Sequence, residues 1–309
     1  MSGETHRTPH SLLPLFPRFL TKRRRGFAGI APLLAETGLS RPALFLVLRV
    51  ATGPTDGSTA EELRPGAPYA ARDPHVPLLA EAVERDFLFR DEAGRYRAGE
   101  RGRAVAARIE GEAVAYLAGL RPIPDPDLSW LAERFAAIAA GLDVEAGGPG
   151  SHLAHSRRIA ALAPATAEND AHLVRLERAI YDLWTARDDA HIGAWRAARF
   201  PGPTLDVLTR LWRGDADTPE ELRAALAATI EGEDIDAIVE ELAEQGYVER
   251  RGGELRPTRA GYLVREGIEA TTDELYFRQW PPLEPDEIAR LHNGLGRLID
   301  SLPDVPSQG

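Results

Sequence analysis

The sequence predicts a mainly α-helical protein with two small β-hairpins. Two observations predict this class: apolar residues recur at helical spacing in several segments, and two pairs of short extended stretches each flank a glycine turn. A third observation concerns the order of the elements. The phrase TAEELR at residues 59–64 returns 159 positions later as TPEELR at 218–223. The repeat predicts that one arrangement of helices and hairpin occurs twice.

Both copies of the phrase have the chemistry of a helix N-terminus. Thr218 is a suitable N-cap, Pro219 suits the first helical position, and the carboxylate of Glu221 stands where it can reach back to the cap amide. Thr59 and Glu62 repeat this capping box. Capping boxes are common, so the phrase alone does not establish a duplication.

The ungapped alignment at an offset of 159 continues beyond the phrase, with 12 identities in the 53 positions of 58–110. Each copy starts with an apolar helix, followed by the capped helix, a second helix, the hairpin and a long helix that begins near Gly99 or Thr258. This is the element order of a winged helix-turn-helix. The sequence therefore predicts tandem winged helix-turn-helix modules joined by long helices. The alternative is a generic α-rich domain with an incidental hairpin.

Segments rich in Pro and Gly, at 120–127 and 143–151, are typical of linkers. Between them, residues 129–142 place apolar side chains on one helical face, and a long helix is expected from about 166 to 200. The predicted division is a first module at 1–127, a connecting helix and linker at 128–150, and a second module at 151–309.

The stretch LAEQGYVERRGGELRPTRAGYLVREGIE, residues 242–269, resembles the MarR family of winged-helix transcription regulators. Gly246 to Val248 match the step that ends that family's recognition helix, and Thr258 with Gly261 match the T-x-x-G that opens its dimerisation helix. The first copy resembles the pattern more loosely. The resemblance implies a DNA-binding protein dimerised through terminal helices, either as a pseudo-dimer within one chain or as a homodimer. It also implies a place for a small-molecule effector beside the dimerisation helices.

The helix that the resemblance would place in the major groove departs from this expectation. Residues 231–244 carry seven acidic side chains and no Lys or Arg, whereas DNA binding depends on cations that neutralise phosphates. The predicted DNA contacts are therefore the cations of the two wings and of the TKRRR cluster: Arg95, Arg97, Arg250, Arg251, Arg256, Arg259, Lys22, Arg23 and Arg24. The alternative is that these residues form an ordinary solvated surface.

Overall composition limits the class of partner. The 309 residues carry 37 Lys+Arg and 48 Asp+Glu, a net charge of −11, so any nucleic-acid contact must be a local basic patch. The chain has no Cys, which excludes disulfides, thiolate zinc sites and cysteine nucleophiles. Without a long uninterrupted apolar run, the sequence predicts a cytoplasmic protein with no membrane partner.

A candidate ligand pocket lies on the predicted long central helix. Trp184, Asp188, His191 and Trp195 follow at spacings of 4, 3 and 4, which places them on one helical face. A carboxylate one turn from an imidazole can fix its tautomer and raise its pKa, and two indoles can wall a pocket. The alternative is a core-facing Trp stripe whose His is satisfied by the neighbouring Asp.

No signature of catalysis, a metal site or a cofactor site occurs. His152 and His155 lie three residues apart and His172 stands alone, without the ligand spacing of a zinc site. The main functional hypothesis is a DNA-binding transcription regulator of MarR-like type, not an enzyme, that responds to a small ligand. The rival hypothesis is a winged-helix scaffold that binds a protein or small molecule without reading DNA.

Overall fold

A computed structural model describes residues 7–144, 151–162 and 166–303; six residues of the predicted linker, 145–150, therefore lie outside the described residues. In chain order the helices are α1 (Leu15–Lys22), α2 (Ile30–Thr37), α3 (Arg41–Ala51), α4 (Ala60–Leu63), α5 (His75–Glu84), α6 (Glu100–Gly119), α7 (Asp125–Ala140), α8 (His152–Ala160), α9 (His172–Ala197), α10 (Gly202–Arg213), α11 (Pro219–Leu226), α12 (Gly232–Glu244), α13 (Arg259–Phe277) and α14 (Pro285–Ser301). The strands are β1 (Leu88–Arg90), β2 (Tyr96–Ala98), β3 (Val248–Arg251) and β4 (Glu254–Pro257).

The predicted fold class is confirmed, since the chain is mostly helical with two small antiparallel hairpins. The long helices expected near Gly99 and Thr258 are α6, which has Gly99 as its N-cap, and α13. The helix expected from about 166 starts later, because a 3-10 turn at Ala167–Asp170 precedes α9. The connecting helix expected at 129–142 is α7, which starts four residues earlier.

The described chain divides into two compact units that do not follow chain order. The first contains residues up to 59, 78–186 and those from 277 onward, and the second contains residues 60–77 and 187–276. The predicted module boundaries at 127/128 and 150/151 stay a prediction.

The core of the first unit is built from apolar faces of α1, α7, α9 and α14. The rings of Phe16 and Phe135 meet edge to face with centroids 5.9 Å apart. On α9, Leu173, Leu176 and Ile180 are buried at the spacing of one helical face. Complete burial of a leucine or phenylalanine side chain contributes roughly 1.5–3 kcal/mol, so these faces hold the helices together.

The second unit has its own core around α10, α12 and the hairpin of β3 and β4. Leu205 and Leu208 of α10 are buried together with Ile235, Val239 and Leu242 of α12. The 4, 3 spacing on α12 turns one face inward and leaves its acidic side chains on the other. This packing fixes the orientation of the helix that precedes the second hairpin.

Each hairpin is extended on one side by a segment near its capping phrase. Ser58 and Tyr96 exchange two backbone hydrogen bonds of 3.0 and 2.8 Å in the first hairpin. In the second, the Leu255 amide donates to the Asp217 carbonyl at 2.6 Å. These pairs keep the offset of 159.

At the start of each hairpin, the equivalent residues of the two copies are 160 positions apart instead of 159. Asp86 and Gly246 both have positive φ, of 59° and 76°. After each of them the next amide returns to the preceding helix, from Phe87 to Ala82 and from Tyr247 to Leu242. The turn between β1 and β2 is longer than the Gly252–Gly253 turn between β3 and β4. The longer turn moves the register by one residue relative to the ungapped alignment.

One consequence is visible in the burial of the strands. The ungapped alignment pairs Phe89 with Val248, yet Phe89 is 46% exposed and Val248 is 3% exposed. Leu88, 160 positions before Val248, is the buried residue that corresponds to it. The apolar character of a strand residue therefore does not by itself show whether its side chain points into the core.

The capping box of the second copy forms with one difference from the expectation. The hydroxyl of Thr218 accepts from the Glu221 amide at 3.3 Å, as predicted. The Glu221 carboxylate accepts from the Asp217 amide at 2.9 Å, one residue before the cap. In the first copy the helix α4 has only four residues and continues as a 3-10 turn.

Candidate functional site

The arginines of the second hairpin are exposed, and three of them pair with carboxylates. Arg250 binds Glu240 of α12 at 2.6 Å, and Arg251 binds Glu249 at 3.0 Å. Arg256 binds Glu254 at 2.6 Å. Exposed pairs of this kind contribute little stability, but each one cancels a positive charge on the hairpin.

Arg259 opens α13 and is also exposed. Within the part of the chain that the structure describes, it has no carboxylate partner.

The outer face of α12 is acidic in the structure as well as in the sequence. Arg72 binds Glu231 at 2.6 Å and Asp234 at 3.1 Å, and Arg223 binds Asp236 at 2.7 Å. Three further exposed carboxylates form no direct ion pair with a described residue: Glu233, Glu241 and Glu244. This face would repel a phosphate backbone.

In the first hairpin, the two arginines singled out from the sequence are bound to their own loop. Arg95 donates to the Gly57 carbonyl at 2.6 Å and to the Asp56 carbonyl at 3.1 Å. Arg97 donates to the Asp56 carbonyl at 3.0 Å and pairs with Asp91 at 3.0 Å. Both side chains thus hold the 54–57 turn against the hairpin.

Three other arginines of the first hairpin region are exposed. The guanidinium of Arg90 lies 5.7 Å from the centre of the Tyr96 ring, and that of Arg101 lies 4.5 Å from the centre of Phe87. Arg103 donates to the Ala98 carbonyl at 2.6 Å. None of the three has a carboxylate partner among the described residues. We call Arg90, Arg101 and Arg103 the first-hairpin arginines.

The TKRRR cluster is placed mostly inside the first unit. Arg23 binds Glu177 at 2.6 Å, and these side chains are only 14% and 5% exposed. Arg24 binds Glu177 at 3.0 Å and approaches Glu110 at 3.7 Å. Lys22 donates to the Asp300 carbonyl at 3.5 Å.

The two buried glutamates of this cluster have opposite pKa shifts. Burial raises the pKa of Glu110, and Arg24 offsets this only in part. Burial would also raise the pKa of Glu177, but Arg24 and Arg23 outweigh it, so that pKa lies below its ordinary value. Guanidinium groups held in this way have little surface left for a phosphate.

Three residues of the predicted ligand pocket lie in the second unit, and Trp184 lies half-buried in the first. Trp195 is buried, and its ring centre is 6.3 Å from that of Tyr69. Burial, followed by repulsion from Asp189, raises the pKa of Asp188 to about 7. Burial and the charge of Asp188 together raise the pKa of Tyr69 to about 12. A carboxyl that titrates near neutrality beside aromatic rings is typical of a functional site.

The expected effect of Asp188 on His191 is wrong. The imidazole Nδ1 lies 2.9 Å from the Thr272 hydroxyl, which itself donates to the Ile268 carbonyl at 2.8 Å. The hydroxyl must then accept, so Nδ1 carries the proton and Nε2 is the basic atom. Burial lowers the pKa of His191 to about 4, although the carboxylate of Glu269 at 3.9 Å opposes the shift. The imidazole is therefore neutral at pH 7.

A buried charge network supports this histidine. Arg265, with a side chain 2% exposed, binds Glu269 at 2.6 Å and donates to the Thr209 hydroxyl at 2.8 Å. Arg187 binds Glu269 at 2.9 Å and Asp273 at 3.1 Å. Apart from the Arg265–Glu269 pair within α13, these partners are distant in sequence, and they fix the face of α13 that meets α9.

The remaining histidines do not form a metal site. Among the described residues, no group of three or more His, Asp or Glu side chains is arranged to hold a metal ion. Burial lowers the pKa of His155 to about 3, and its Nδ1 lies 3.3 Å from the Thr52 hydroxyl. His172 lies 3.6 Å from Asp125.

A known family model matches residues 95–305, more than half of the chain, and its description is a helix-turn-helix family. The chain belongs to this helix-turn-helix family. The match starts one residue before β2 and includes α6 and the whole of the second hairpin region. No curated protein and no solved structure matches. Membership of the family favours a DNA-binding role over catalysis for this helix-turn-helix protein.

Within the described ranges, no single helix of this helix-turn-helix protein is long and apolar enough to cross a bilayer. The bent pair α2 and α3 has the required length and apolar composition only when its two helices are taken together.

Proposed function

We propose that this helix-turn-helix protein is a DNA-binding transcription regulator of MarR-like type, built from two tandem winged modules. The observation that carries the proposal is the presence of three exposed first-hairpin arginines without carboxylate partners. A basic hairpin after a helix-turn-helix is suited to contact phosphates beside a groove. The first hairpin, not the second, is then the main DNA contact.

The charge balance supports this choice between the two hairpins. Arg250, Arg251 and Arg256 each have a carboxylate within 3.0 Å, and the neighbouring α12 adds further negative charge. A phosphate would have to displace these partners before it gained an ion pair. The first-hairpin arginines contact only rings and carbonyl oxygens, so their positive charge is available.

The tandem arrangement is supported by matching contacts in the two hairpin regions. In both regions, a glycine in the first turn of the helix after the hairpin packs directly on a backbone carbonyl. That carbonyl belongs to the residue just before the first strand of the hairpin. A Cβ at Gly102 would be 2.2 Å from the Phe87 oxygen, and a Cβ at Gly261 would be 2.2 Å from the Tyr247 oxygen. The proposal includes pairing of the two modules as a pseudo-dimer within one chain.

Ligand response is a further part of the proposal. The Asp188 carboxyl, with its raised pKa, and the basic Nε2 of His191 lie on one helix with Trp195. A ligand that binds there would alter the packing of α9, which is how an effector could change DNA affinity.

The test is a fluorescence-anisotropy titration of a labelled random-sequence duplex at low salt. The triple variant Arg90→Gln, Arg101→Gln, Arg103→Gln should weaken binding and lower the salt slope by roughly 2 to 3, since each phosphate contact contributes about 0.9 to that slope. A matched triple variant on the second hairpin, Arg250→Gln, Arg251→Gln, Arg256→Gln, changes the net charge equally and should have a much smaller effect.

The outcomes separate the hypotheses. Equal weakening by both triple variants would mean that net charge alone matters and would refute the assignment to the first hairpin. Larger weakening by the second-hairpin variant would restore those residues as the DNA contact that the sequence predicted. Absence of binding by the unaltered protein at low salt would refute DNA binding altogether.

The exposed acidic face of α12 favours a second candidate, a scaffold that binds a basic protein segment. Glu233, Glu241 and Glu244 lie on one helix, and none of them forms a direct ion pair with a described residue. A lysine-rich peptide should then bind, and the triple change of these residues to Gln should abolish its binding while DNA affinity stays unchanged or rises. A peptide affinity unaffected by those changes would remove this candidate.

A further inference from the structure

The first unit contains a cleft of about 440 Å³ between α7, α8 and α9. This volume lies in the range of small-molecule sites, roughly 300–1,000 Å³. Five alanine side chains, three arginines and one aspartate line it. The alanine methyl groups make an apolar floor that offers no hydrogen bonds, while the charged groups stand among them.

One of the arginines and the aspartate neutralise each other. The Nε of Arg157 lies 3.2 Å from the Asp182 carboxylate, which also accepts from the Ser156 hydroxyl at 2.6 Å. A second donor of Arg157 binds the Ala139 carbonyl at 3.1 Å. This pair closes one side of the cleft and contributes no net charge to it.

The other two arginines form no direct ion pair with a described carboxylate. Arg178 donates to the Asn169 side-chain oxygen at 2.5 Å and to the Ala160 carbonyl at 3.4 Å. Its Nε–H is buried and has no acceptor in the described chain. The side chain of Arg175, half-buried, makes no hydrogen bond or ion pair with a described residue. Buried donors of this kind are normally satisfied, so the missing acceptor points to a ligand atom or water.

The charges behind the cleft do not cancel this surplus. Arg178 is close enough to Glu110 and Glu177 to act on both of their pKa values. Those two carboxylates are already matched by Arg23 and Arg24. The two carboxylates therefore face three guanidinium groups, those of Arg23, Arg24 and Arg178, which leaves one positive charge in excess. Arg175 adds a further positive charge on the cleft side.

We infer that this cleft binds a small organic monoanion, whose carboxylate pairs with Arg175 and Arg178 and whose compact apolar body lies on the alanine floor. A guanidinium presents paired donors that match the two oxygens of a carboxylate. The methyl floor offers contact area but no hydrogen-bond partners, which selects against sugars and other polar bodies. The cleft is separate from the cluster around Asp188, and its occupancy does not depend on DNA binding.

The test is isothermal titration calorimetry of the full chain with cyclohexanecarboxylate. Its neutral isostere, cyclohexanecarboxamide, and inorganic phosphate are the comparison ligands. We expect binding of the carboxylate at least tenfold tighter than that of the amide or of phosphate, because only the carboxylate meets both the charge and the apolar floor.

Three variants locate the site. Arg175→Gln should weaken binding at least tenfold, and Ala140→Phe should block it by filling the cleft. Arg158→Gln, an exposed arginine of the same unit that does not line the cleft, should leave binding unchanged. Arg175 holds no described partner, so its variant should fold normally, which circular dichroism verifies.

Several results would overturn the inference. These are an absence of carboxylate binding, equal binding of the amide, preference for phosphate, or equal weakening by Arg175→Gln and Arg158→Gln. An affinity unaffected by Ala140→Phe would place the binding site elsewhere. None of these results depends on whether the protein binds DNA.

Discussion

Replacing Asp188 by Asn should change how stability depends on pH. The carboxyl ionises at about 7 in the folded protein, against 3.8 for an ordinary aspartate. Between these values the folded chain holds a proton that the unfolded chain has lost. Stability contributed by this group is therefore complete below about pH 4, falls as the pH rises to 7, and stays lost above it.

The size of the effect follows from the difference between the two pKa values. The difference, 7 − 3.8, is about 3, and each pH unit corresponds to about 1.36 kcal/mol, which gives a ceiling of about 4 kcal/mol. Because the carboxyl retains some contact with solvent, relaxation lowers this to about 1–3 kcal/mol. Asp188→Asn should thus gain stability relative to the unaltered protein between pH 4.5 and 8.5.

Urea unfolding at a series of pH values measures this gain. His191, whose pKa is lowered to about 4, produces an opposite slope between about 4 and 6.5. It is present in both proteins, so its effect cancels in their difference. Glu266→Gln, at an exposed position on α13, is the control for the removal of one surface carboxylate. A difference for Asp188→Asn that does not vary with pH would refute the reasoning that this carboxyl is protonated when folded.

Two further predictions concern the packing of the long helices and the buried charges. Gly261→Ala should destabilise the protein by about 1–3 kcal/mol, because its Cβ would meet the Tyr247 oxygen at 2.2 Å. Gly267→Ala in the same helix has open space around the new Cβ and should stabilise the protein by about 0.5–1 kcal/mol. Equal shifts of the thermal unfolding temperature for the two variants would contradict this. Glu177→Gln should cost about 3–5 kcal/mol by leaving two arginines buried without their carboxylate, while Glu36→Gln at an exposed ion pair should cost less than about 1 kcal/mol in the same urea assay. Comparable losses for the two glutamates would show that the internal cluster is well solvated.

Local signals accounted for much of the fold. Thr218 and Gly99 mark the starts of helices, and the glycine turns mark the hairpins, because capping and positive φ depend on neighbouring residues in the chain. The register of the first hairpin was missed, since Leu88 and Phe89 are both apolar and only packing decides which one turns inward.

The candidate sites were harder to predict because their partners are distant in sequence. Arg23 reaches Glu177, 154 residues away, and His191 binds Thr272, 81 residues away. The sequence alone does not distinguish an arginine that is exposed from one that is buried against a distant carboxylate. The arrangement of Arg175 and Arg178 around a cleft likewise depends on how α7, α8 and α9 pack.

The first hairpin is one residue longer than the second, and this difference in length determines where segments can be exchanged between the two copies. A chimera should take residues 86–102 as one block and replace them with 246–261, because these limits share the positive-φ start and the close-packed glycine. A cut made by constant numbering inside the strands would place Phe89 where Val248 is buried. The interchangeable part is thus defined by its two anchoring backbone contacts, and its length is free to vary between them.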